Sequence, residues 1–274
     1  MTEVDLRHGD CIDVLKTLPD SSVDSVVTSP PYAMQRKSTY GGIPEKDYPE
    51  WTVAWMQEVW RVLKDDGSAI VNISPHNRGG NLADYVLLTR LALREFGWVE
   101  PDELVWHKPN AFPTGRPDRP RRAWEHLLWF GKGKQAYADP LAAGKPYKQD
   151  VDESAFQRSN GVRKRNGWDH AGGSNGVTPL RDRARVTNIV TISKVSRNKF
   201  EHPAPFPVEL AEWCGKLITP PGGTILDPFT GSSSTGVAAI RNGWNFIGID
   251  QSAEYIEMSN RRLNAELAKD GGLF

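Results

Sequence analysis

The stretch from Thr224 to Asp250 constrains the fold more than any other part of the chain. Thr224-Ile225-Leu226 is a short buried strand, which runs into the turn Asp227-Pro228-Phe229-Thr230-Gly231-Ser232-Ser233-Ser234-Thr235-Gly236. A helix over Val237 to Ile240 follows, and then a second strand from Asn245 to Asp250. Strand, glycine turn, helix, strand and acid form the βαβ unit of nucleotide-binding α/β proteins, in which the two strands are parallel.

The same turn discriminates between ligands. It lacks the Gly-x-Gly-x-x-Gly pattern of dinucleotide sites, and no Lys follows its last Gly as in a P-loop. Asp227 at the strand end opposes a phosphate and favours a cation. S-adenosylmethionine fits, with its ammonium and sulfonium at Asp227, its carboxylate at the helix N-terminus near residues 232–235 and its ribose at Asp250. The alternative interpretation is a serine-rich helix cap.

A second loop, Thr28-Ser29-Pro30-Pro31-Tyr32, follows the β-branched strand Val23 to Val27. Two prolines end the strand, because each lacks an N–H and fixes φ. The loop therefore lies at the carboxyl end of a strand, where open α/β sheets bind ligands. The Ser29 hydroxyl, the backbone carbonyls and the Tyr32 ring suit a planar heterocycle that bears an amino group. The alternative is a strand-ending turn with a packed tyrosine.

Strands and helices alternate along most of the chain, which predicts a mostly parallel, doubly wound sheet. Helices are predicted over residues 12–18, 51–63, 82–96, 208–218 and 252–268, and strands over 4–7, 68–73, 99–106 and 124–130. Asp66-Gly67 is predicted to end the helix at 51–63. Asp10 follows the first strand, where it can accept an N–H from a ligand or cap the next helix. Residues 33–48 lack periodicity, and we interpret them as a mobile loop that closes over substrate.

Charge is distributed unevenly, although the whole chain has 34 Lys and Arg and 34 Asp and Glu. Residues 107–200 contain 19 basic and 8 acidic side chains, a net charge of +11, so the remainder carries −11. Such asymmetry favours a polyanionic partner for the middle of the chain, and a basic solvated surface is the alternative. We interpret residues 138–196 as a target-recognition insert for double-stranded DNA, and residues 1–137 and 197–274 as the catalytic domain.

Other classes fit poorly. No apolar run approaches the ~20 residues of a membrane span, and the first residues do not resemble a signal peptide, so we expect a cytoplasmic protein without a membrane partner. The two cysteines, Cys11 and Cys214, argue against a disulfide framework, and the six histidines show no metal-ligand spacing. No metal site is predicted.

Both loops resemble motifs of the DNA amino-methyltransferases. Asp-Pro-Phe-Thr-Gly-Ser-Ser-Ser-Thr is similar to their cofactor motif, and Thr-Ser-Pro-Pro-Tyr to their catalytic motif. The catalytic motif comes first, as in the β group, which implies a circularly permuted Rossmann-like methyltransferase sheet with an inserted target-recognition region. At Ser233 and Ser234 the family usually has Gly and Thr or another small residue.

The resemblance also implies roles for individual residues. Asp10 would bind the adenine of S-adenosylmethionine, Asp250 its ribose, and the turn at 227–235 its methionine part. Ser29 and Pro30 would hold the target amine, and Tyr32 would stack on the base. The complete expected site has Ser29, Pro30, Pro31 and Tyr32 as catalytic residues, and Asp10, Cys11, Thr28, Phe206, Asp227, Phe229, Gly231, Ser232, Ser233, Thr235 and Asp250 as cofactor-binding residues.

The expected reaction is methyl transfer to N4 of a cytosine that is flipped out of the duplex. In the family, Ser at position 29 usually accompanies cytosine and Asp accompanies adenine, so N6-adenine methylation is the alternative, as is an inactive protein that binds the cofactor and DNA. Neither cysteine lies in a loop suited to attack on a ring carbon. A cognate restriction endonuclease, and a monomer or a homodimer, are left open.

Overall fold

The computed structural model describes residues 2–35, 41–111, 118–146, 183–194 and 206–270. Most of the predicted insert and part of the predicted loop at 33–48 lie outside the described residues. The elements in chain order are β1 (Val4–His8), α1 (Cys11–Leu15), β2 (Val23–Thr28), α2 (Tyr48–Val62), β3 (Leu63–Ile73), β4 (Asn77–Arg78), β5 (Asn81–Leu82), α3 (Tyr85–Phe96), β6 (Glu103–His107), β7 (Trp124–Gly131), β8 (Ile189–Thr191), α4 (Val208–Ile218), β9 (Thr224–Asp227), α5 (Ser234–Asn242), β10 (Asn245–Asp250) and α6 (Ala253–Asp270).

Within the described residues, eight strands form one sheet in the order β1-β10-β9-β2-β3-β7-β6-β8. Neighbouring strands are parallel except where β7 pairs with β3 and with β6. The mostly parallel sheet is therefore confirmed. The antiparallel strand β7 was predicted as a strand, but its direction was not.

Strand β1, the first in the sequence, adds a parallel neighbour to the βαβ unit formed by β9, α5 and β10. β1 pairs in parallel with β10, from Val4 opposite Phe246 to His8 opposite Asp250, and the Gly9 N–H donates to the Asp250 carbonyl at 3.0 Å. A conventional sheet of this type would have these strands consecutive in the sequence. The expected circularly permuted, Rossmann-like arrangement is thus what the chain adopts.

Successive strand residues point to opposite sides of the sheet, and here both sides are apolar. Helices therefore cover both faces. Val26 and Leu226 pack into a core under α2 and α3, whereas their neighbours Val27 and Ile225 pack into a second core under α4 and α5. On the second side, Gly215 of α4 lies against Trp244, where a Cβ would come within 2.5 Å of the indole ring. Two buried cores hold the strand ends rigidly in place.

The Asp66-Gly67 pair was predicted to end a helix before a strand at 68–73, and the structure differs. Helix α2 ends at Val62 and β3 begins at once, with a register shift against β2 between Val23 and Ser25. Gly67 lies inside this irregular stretch, where a Cβ would meet the Asp24 and Lys64 carbonyls at 3.0 Å. The glycine therefore marks a bulge in which two backbones approach closely.

Two further boundaries differ. Asn81 and Leu82 belong to a short hairpin with Asn77 and Arg78, so the helix predicted from residue 82 begins at Tyr85. The strand predicted from Val99 begins at Glu103, and Val99 makes an isolated bridge to Gly131.

The end of the predicted insert joins the main sheet. β8 pairs in parallel with β6, and the Trp106 Nε1–H donates to the Ile192 carbonyl at 2.8 Å. Arg183 donates to the carbonyls of Ala142 and Gly144 at 3.0 Å each, which ties the two described flanks of the segment together. Among the described residues, no helix has both the length and the apolar content to cross a bilayer.

Candidate functional site

The carboxyl ends of four parallel strands meet at one edge of the sheet. His8 of β1 is level with Asp250 of β10, and Gly248 of β10 is level with Asp227 of β9. Thr28 ends the adjacent strand β2. Both predicted motifs, which lie about two hundred residues apart in sequence, therefore open onto the same edge, where open α/β sheets bind their ligands.

Asp227 is buried at the base of this edge, with 1% of its surface exposed. Thr28 Oγ1 and Thr235 Oγ1 donate to its two carboxylate oxygens at 2.6 and 2.9 Å, and the Phe229 N–H donates at 3.1 Å. Burial nevertheless raises the pKa of Asp227 from 3.8 to about 6, with a further contribution from the charge of Asp250. The group is a desolvated carboxylate, which a bound cation would stabilise.

Asp250 fastens the glycine turn to β10. Its carboxylate accepts the Gly231 N–H and the Ser252 N–H, each at 2.9 Å. The Thr230 N–H donates to the Ile249 carbonyl at 2.8 Å, and the Ser259 hydroxyl donates to the Gly231 carbonyl at 2.8 Å. The turn is thus fixed in position from the strand and from α6, and Gly231 adopts a positive φ of 50°.

Ser233 has left-handed backbone angles, φ 59° and ψ 47°, directly before α5. Ser233 and Thr235 are fully buried, and Ser232 is 3% exposed. A non-glycine residue in this region carries a conformational cost. The position is one of the two where the family resemblance led us to expect a glycine or a small residue, and the structure shows the physical reason.

A pocket opens between the two motifs. It is lined by Asp10, Cys11, Pro31, Ile43, Trp51, Pro228, Phe229 and Gln251. Pro31 comes from the catalytic motif and Phe229 from the turn, so the two motifs share this cavity. Its lining combines the side chains of Ile43, Trp51 and Phe229 with polar atoms, to which Asp10 and Gln251 contribute. This donor and acceptor set fits an adenine ring with polar edges.

Asp10 has the structural role that we weighed as its alternative. Its Oδ1 accepts the N–H groups of Ile12 and Asp13 at 2.9 and 3.4 Å and so caps α1. The same residue lines the pocket, so the cap orients a carboxylate that also faces the cavity.

The corner at Ser29 to Tyr32 is held from behind by polar side chains of the neighbouring strands. The Tyr32 hydroxyl lies 2.9 Å from Glu125 Oε2 and 3.2 Å from Asn72 Oδ1, and Ser29 Oγ lies 3.5 Å from the same Asn72 oxygen. Burial and the charge of Glu125 raise the pKa of Tyr32 above its usual value, so the phenol stays protonated. Tyr48 donates to the Pro31 carbonyl at 3.1 Å. The corner is therefore stiff.

Phe206, Cys11 and Cys214 also have defined positions. Phe206 packs against the core under α4 and does not line the pocket, whereas Cys11 does. Cys214 is buried in α4, and burial raises the pKa of both thiols. Neither thiol is a poised nucleophile.

Sequence reasoning missed several residues of this edge. Trp51 was predicted only as the first residue of a helix, yet its ring centroid lies 5.6 Å from that of Phe229 and it lines the pocket. Asn72 and Glu125 lie within strands where no motif marks them. A polar residue inside a buried strand was the available signal for Asn72, which is 3% exposed.

A twisted, mostly parallel sheet with a glycine turn, an acid and a shared pocket at its carboxyl edge defines a Rossmann-like α/β protein that binds a nucleotide-like ligand. The family model described as DNA methylase, for N6 and N4 methyltransferases, matches residues 23–261. The chain therefore belongs to the DNA methylase family, and it is an enzyme. The β-group resemblance proposed from the two motifs is confirmed.

Relatives support the same assignment. The type II methyltransferase M.Cfr9I of Citrobacter freundii is 30% identical over 298 aligned residues, which cover 95% of this chain and 88% of the relative. Among solved structures, the cytosine-N4-specific PvuII DNA methyltransferase matches with a TM-score of 0.71 and 22% identity, covering 98% of this chain and 93% of that one. The complex of M1.HpyAVI with SAM matches with a TM-score of 0.63 and 22% identity, covering 95% and 99%.

Proposed function

We propose that this enzyme transfers a methyl group from S-adenosylmethionine to the exocyclic N4 of cytosine in double-stranded DNA. The observation that carries the proposal is the pocket that Pro31 and Phe229 share, because it brings the amine-binding corner and the cofactor turn together. The cytosine-N4 specificity of the PvuII DNA methyltransferase and the SAM bound to M1.HpyAVI support the choice of base and of methyl donor.

The chain's residues fit the methyl donor at three points. Trp51, Phe229 and the polar atoms of Asp10 suit its adenine, and Asp250 lies at the strand end from which a carboxylate reaches ribose hydroxyls. The buried charge of Asp227 favours a cationic group close to the turn. When bound, S-adenosylmethionine supplies an electrophilic methyl group on a sulfonium.

The corner would then hold the target amine. A cytosine inside a duplex is out of reach, so it is flipped out, at a cost of about a few kcal/mol. Ser29 and the Pro30 carbonyl accept its two amino hydrogens, and Tyr32 packs on the ring. This turns the nitrogen lone pair toward the methyl group. When the nitrogen–methyl bond formed, the methyl–sulfur bond would break with its electron pair left on sulfur, and one amino proton would pass to solvent. Orientation and fixed acceptors carry the catalysis.

The substrate contacts outside the pocket are assigned to residues 138–196, whose basic composition suits a DNA backbone. The type II description of M.Cfr9I supports a cognate restriction endonuclease as a functional partner.

A methyl-transfer assay with labelled S-adenosylmethionine and genomic DNA, followed by mass analysis of the digested nucleosides, tests the proposal. Wild type should yield N4-methylcytosine. Ser29→Ala and Tyr32→Ala should each lower kcat about a hundredfold, because each removes a group that positions the reacting base. Affinity for the methyl donor should be unchanged.

Ser22→Ala is the matched control, since Ser22 precedes the opposite end of β2 and its hydroxyl donates to the Pro19 carbonyl at 2.7 Å. Its activity should equal that of wild type. N6-methyladenine or 5-methylcytosine as the product, or full activity of both corner variants, would overturn the proposal.

A further inference from the structure

Glu125 lies at the centre of a polar network that none of the sequence motifs contains. It is on β7, and its Oε1 accepts from Lys108 Nζ at 2.6 Å, while its Oε2 accepts from Tyr32 at 2.9 Å and from Asn72 Nδ2 at 3.1 Å. The Lys108 and Glu125 side chains are only 14% and 15% exposed. Lys108 Nζ also lies 5.2 Å from the centre of the Trp106 ring. The Lys108–Glu125 ion pair is therefore largely buried and directly contacts Tyr32 of the corner.

The network fixes which way the Asn72 amide points. Asn72 Nδ2 donates to Glu125 and also to the His126 carbonyl at 3.2 Å, so its Oδ1 must face Ser29 and Tyr32. The single Tyr32 hydrogen goes to the nearer, charged acceptor, Glu125. The Ser29 hydroxyl then has two acceptors on this side of the corner, the Asn72 oxygen at 3.5 Å and the Tyr32 oxygen, with which it also forms a hydrogen bond.

These hydrogen-bond directions determine whether the Ser29 hydroxyl acts as a donor or as an acceptor toward the target amine. If the Ser29 hydrogen is directed back toward Asn72, the lone pairs of its oxygen face the ligand side of the corner. A target amine donates hydrogens, so it needs an acceptor at that point. A reversed Asn72 amide would instead donate to Ser29 and direct its hydrogen at the amine, where two donors would oppose each other.

We propose that Glu125, paired with Lys108, is a positioning residue that orients Asn72 and Tyr32 so that Ser29 acts as an acceptor for the target amine. The inference rests on the proposed function and adds a determinant of the reacting geometry to it. Glu125 acts through its neighbours and does not itself contact the reacting atoms.

A glutamine cannot replace this carboxylate. Lys108, Tyr32 and Asn72 all donate to residue 125, and a glutamine offers one acceptor oxygen and one donor nitrogen. Whichever way its amide turns, its NH₂ faces either the Lys108 ammonium or the Tyr32 and Asn72 hydrogens. The Glu125→Gln variant should therefore misplace the corner, although its side chain has the same size.

Steady-state methyl transfer measures the effect. Glu125→Gln should lower kcat by about ten- to a hundredfold, the cost of a small displacement of a reacting group, with KM for the methyl donor and for DNA unchanged. The double variant Lys108→Met/Glu125→Gln should recover at least part of that loss, because the glutamine oxygen is then free to face Tyr32 and Asn72. A general loss of folding would not be repaired by a second substitution.

Glu266→Gln is the matched control. Glu266 has a similarly covered side chain, 12% exposed, and pairs with Lys269 at 2.7 Å on α6, away from the corner. It should retain wild-type kcat. If Glu125→Gln equals this control, or if the double variant with an intact fold recovers nothing, the positioning role is wrong.

A readout without methyl transfer separates this inference from the proposed function. In spectra of protein with ¹⁵N-labelled asparagine, the Asn72 side-chain amide should shift in Glu125→Gln and return toward its wild-type position in the double variant. An Asn72 signal that is identical in all three proteins would overturn the network. Absence of methylation by wild type together with these shifts would overturn the proposed function and leave the orientation of Asn72 supported.

Discussion

Replacing Asp227 by asparagine should stabilise the ligand-free protein. The carboxylate accepts hydrogen bonds from Thr28, Thr235 and the Phe229 N–H. An asparagine oxygen can take the bonds from Thr28 and Phe229, and its NH₂ can donate to Thr235. The Thr235 hydrogen then goes to the Val27 carbonyl, which lies 3.2 Å away. Every polar group keeps a partner, and the buried charge is removed.

The raised pKa gives the size of the effect. Asp227 ionises near 3.8 when exposed and at about 6 in the folded protein. Because the folded pKa is raised, this group's favourable contribution is complete below the unfolded pKa and is lost as the pH rises through the folded pKa. At about pH 7.5 the charged carboxylate therefore lowers the free energy of unfolding by about 3 kcal/mol, at roughly 1.4 kcal/mol per pKa unit.

Urea unfolding of the ligand-free proteins tests this reasoning. The free energy of unfolding of Asp227→Asn should exceed that of wild type by up to about 3 kcal/mol near pH 7.5, by about half of that near pH 5, and by almost nothing below about pH 3. A less stable variant near neutral pH, or an advantage that does not shrink on acidification, would refute it.

Asp250→Asn is the control at the same edge. Its two oxygens accept backbone N–H groups from Gly231 and Ser252, which cannot reverse their direction. One of these donors would face the new NH₂, so the same substitution should destabilise by about 1–3 kcal/mol.

Two substitutions test the backbone conformation at Ser233 and the packing of α4 against Trp244. Ser233→Gly should raise the free energy of unfolding by about 0.5–1 kcal/mol, because relief of the left-handed conformation, about 1–2 kcal/mol, exceeds the entropy cost of glycine. Ser233→Ala should give no gain in stability. An equal gain in the alanine variant would contradict the argument. Gly215→Ala should destabilise by about 1–3 kcal/mol, although alanine favours helices, because its Cβ would overlap the Trp244 ring. Gly133→Ala is its control, since the nearest atom to that Cβ is 3.7 Å away, and a neutral Gly215→Ala would contradict the packing argument.

The elements that sequence reasoning predicted well have strong local signals. The strand at 245–250 and the helix at 208–218 have the predicted bounds, because apolar periodicity and flanking turns agree there. The parallel strand ends then follow from the βαβ rule, which places Asp227 and Asp250 on one edge without further information.

The site residues that the sequence did not reveal are brought together by contacts between distant parts of the chain. Glu125 and Asn72 meet because β7 runs antiparallel to β3, and nothing near either residue encodes that direction. Gly67 resembled a helix terminator because a bulge and a turn use the same residue type. The pocket role of Trp51 depends on its contact with Phe229, far along the chain.

The pairing of β1 with β10 imposes an order on biosynthesis. The opening strand leaves the ribosome long before its partner exists, and β9 cannot gain its second neighbour until β10 has emerged. Asp10 therefore reaches its place at the pocket beside Phe229 only after β10 has emerged. A nascent chain without β10 should therefore not bind the methyl donor, because the edge that holds both motifs is incomplete.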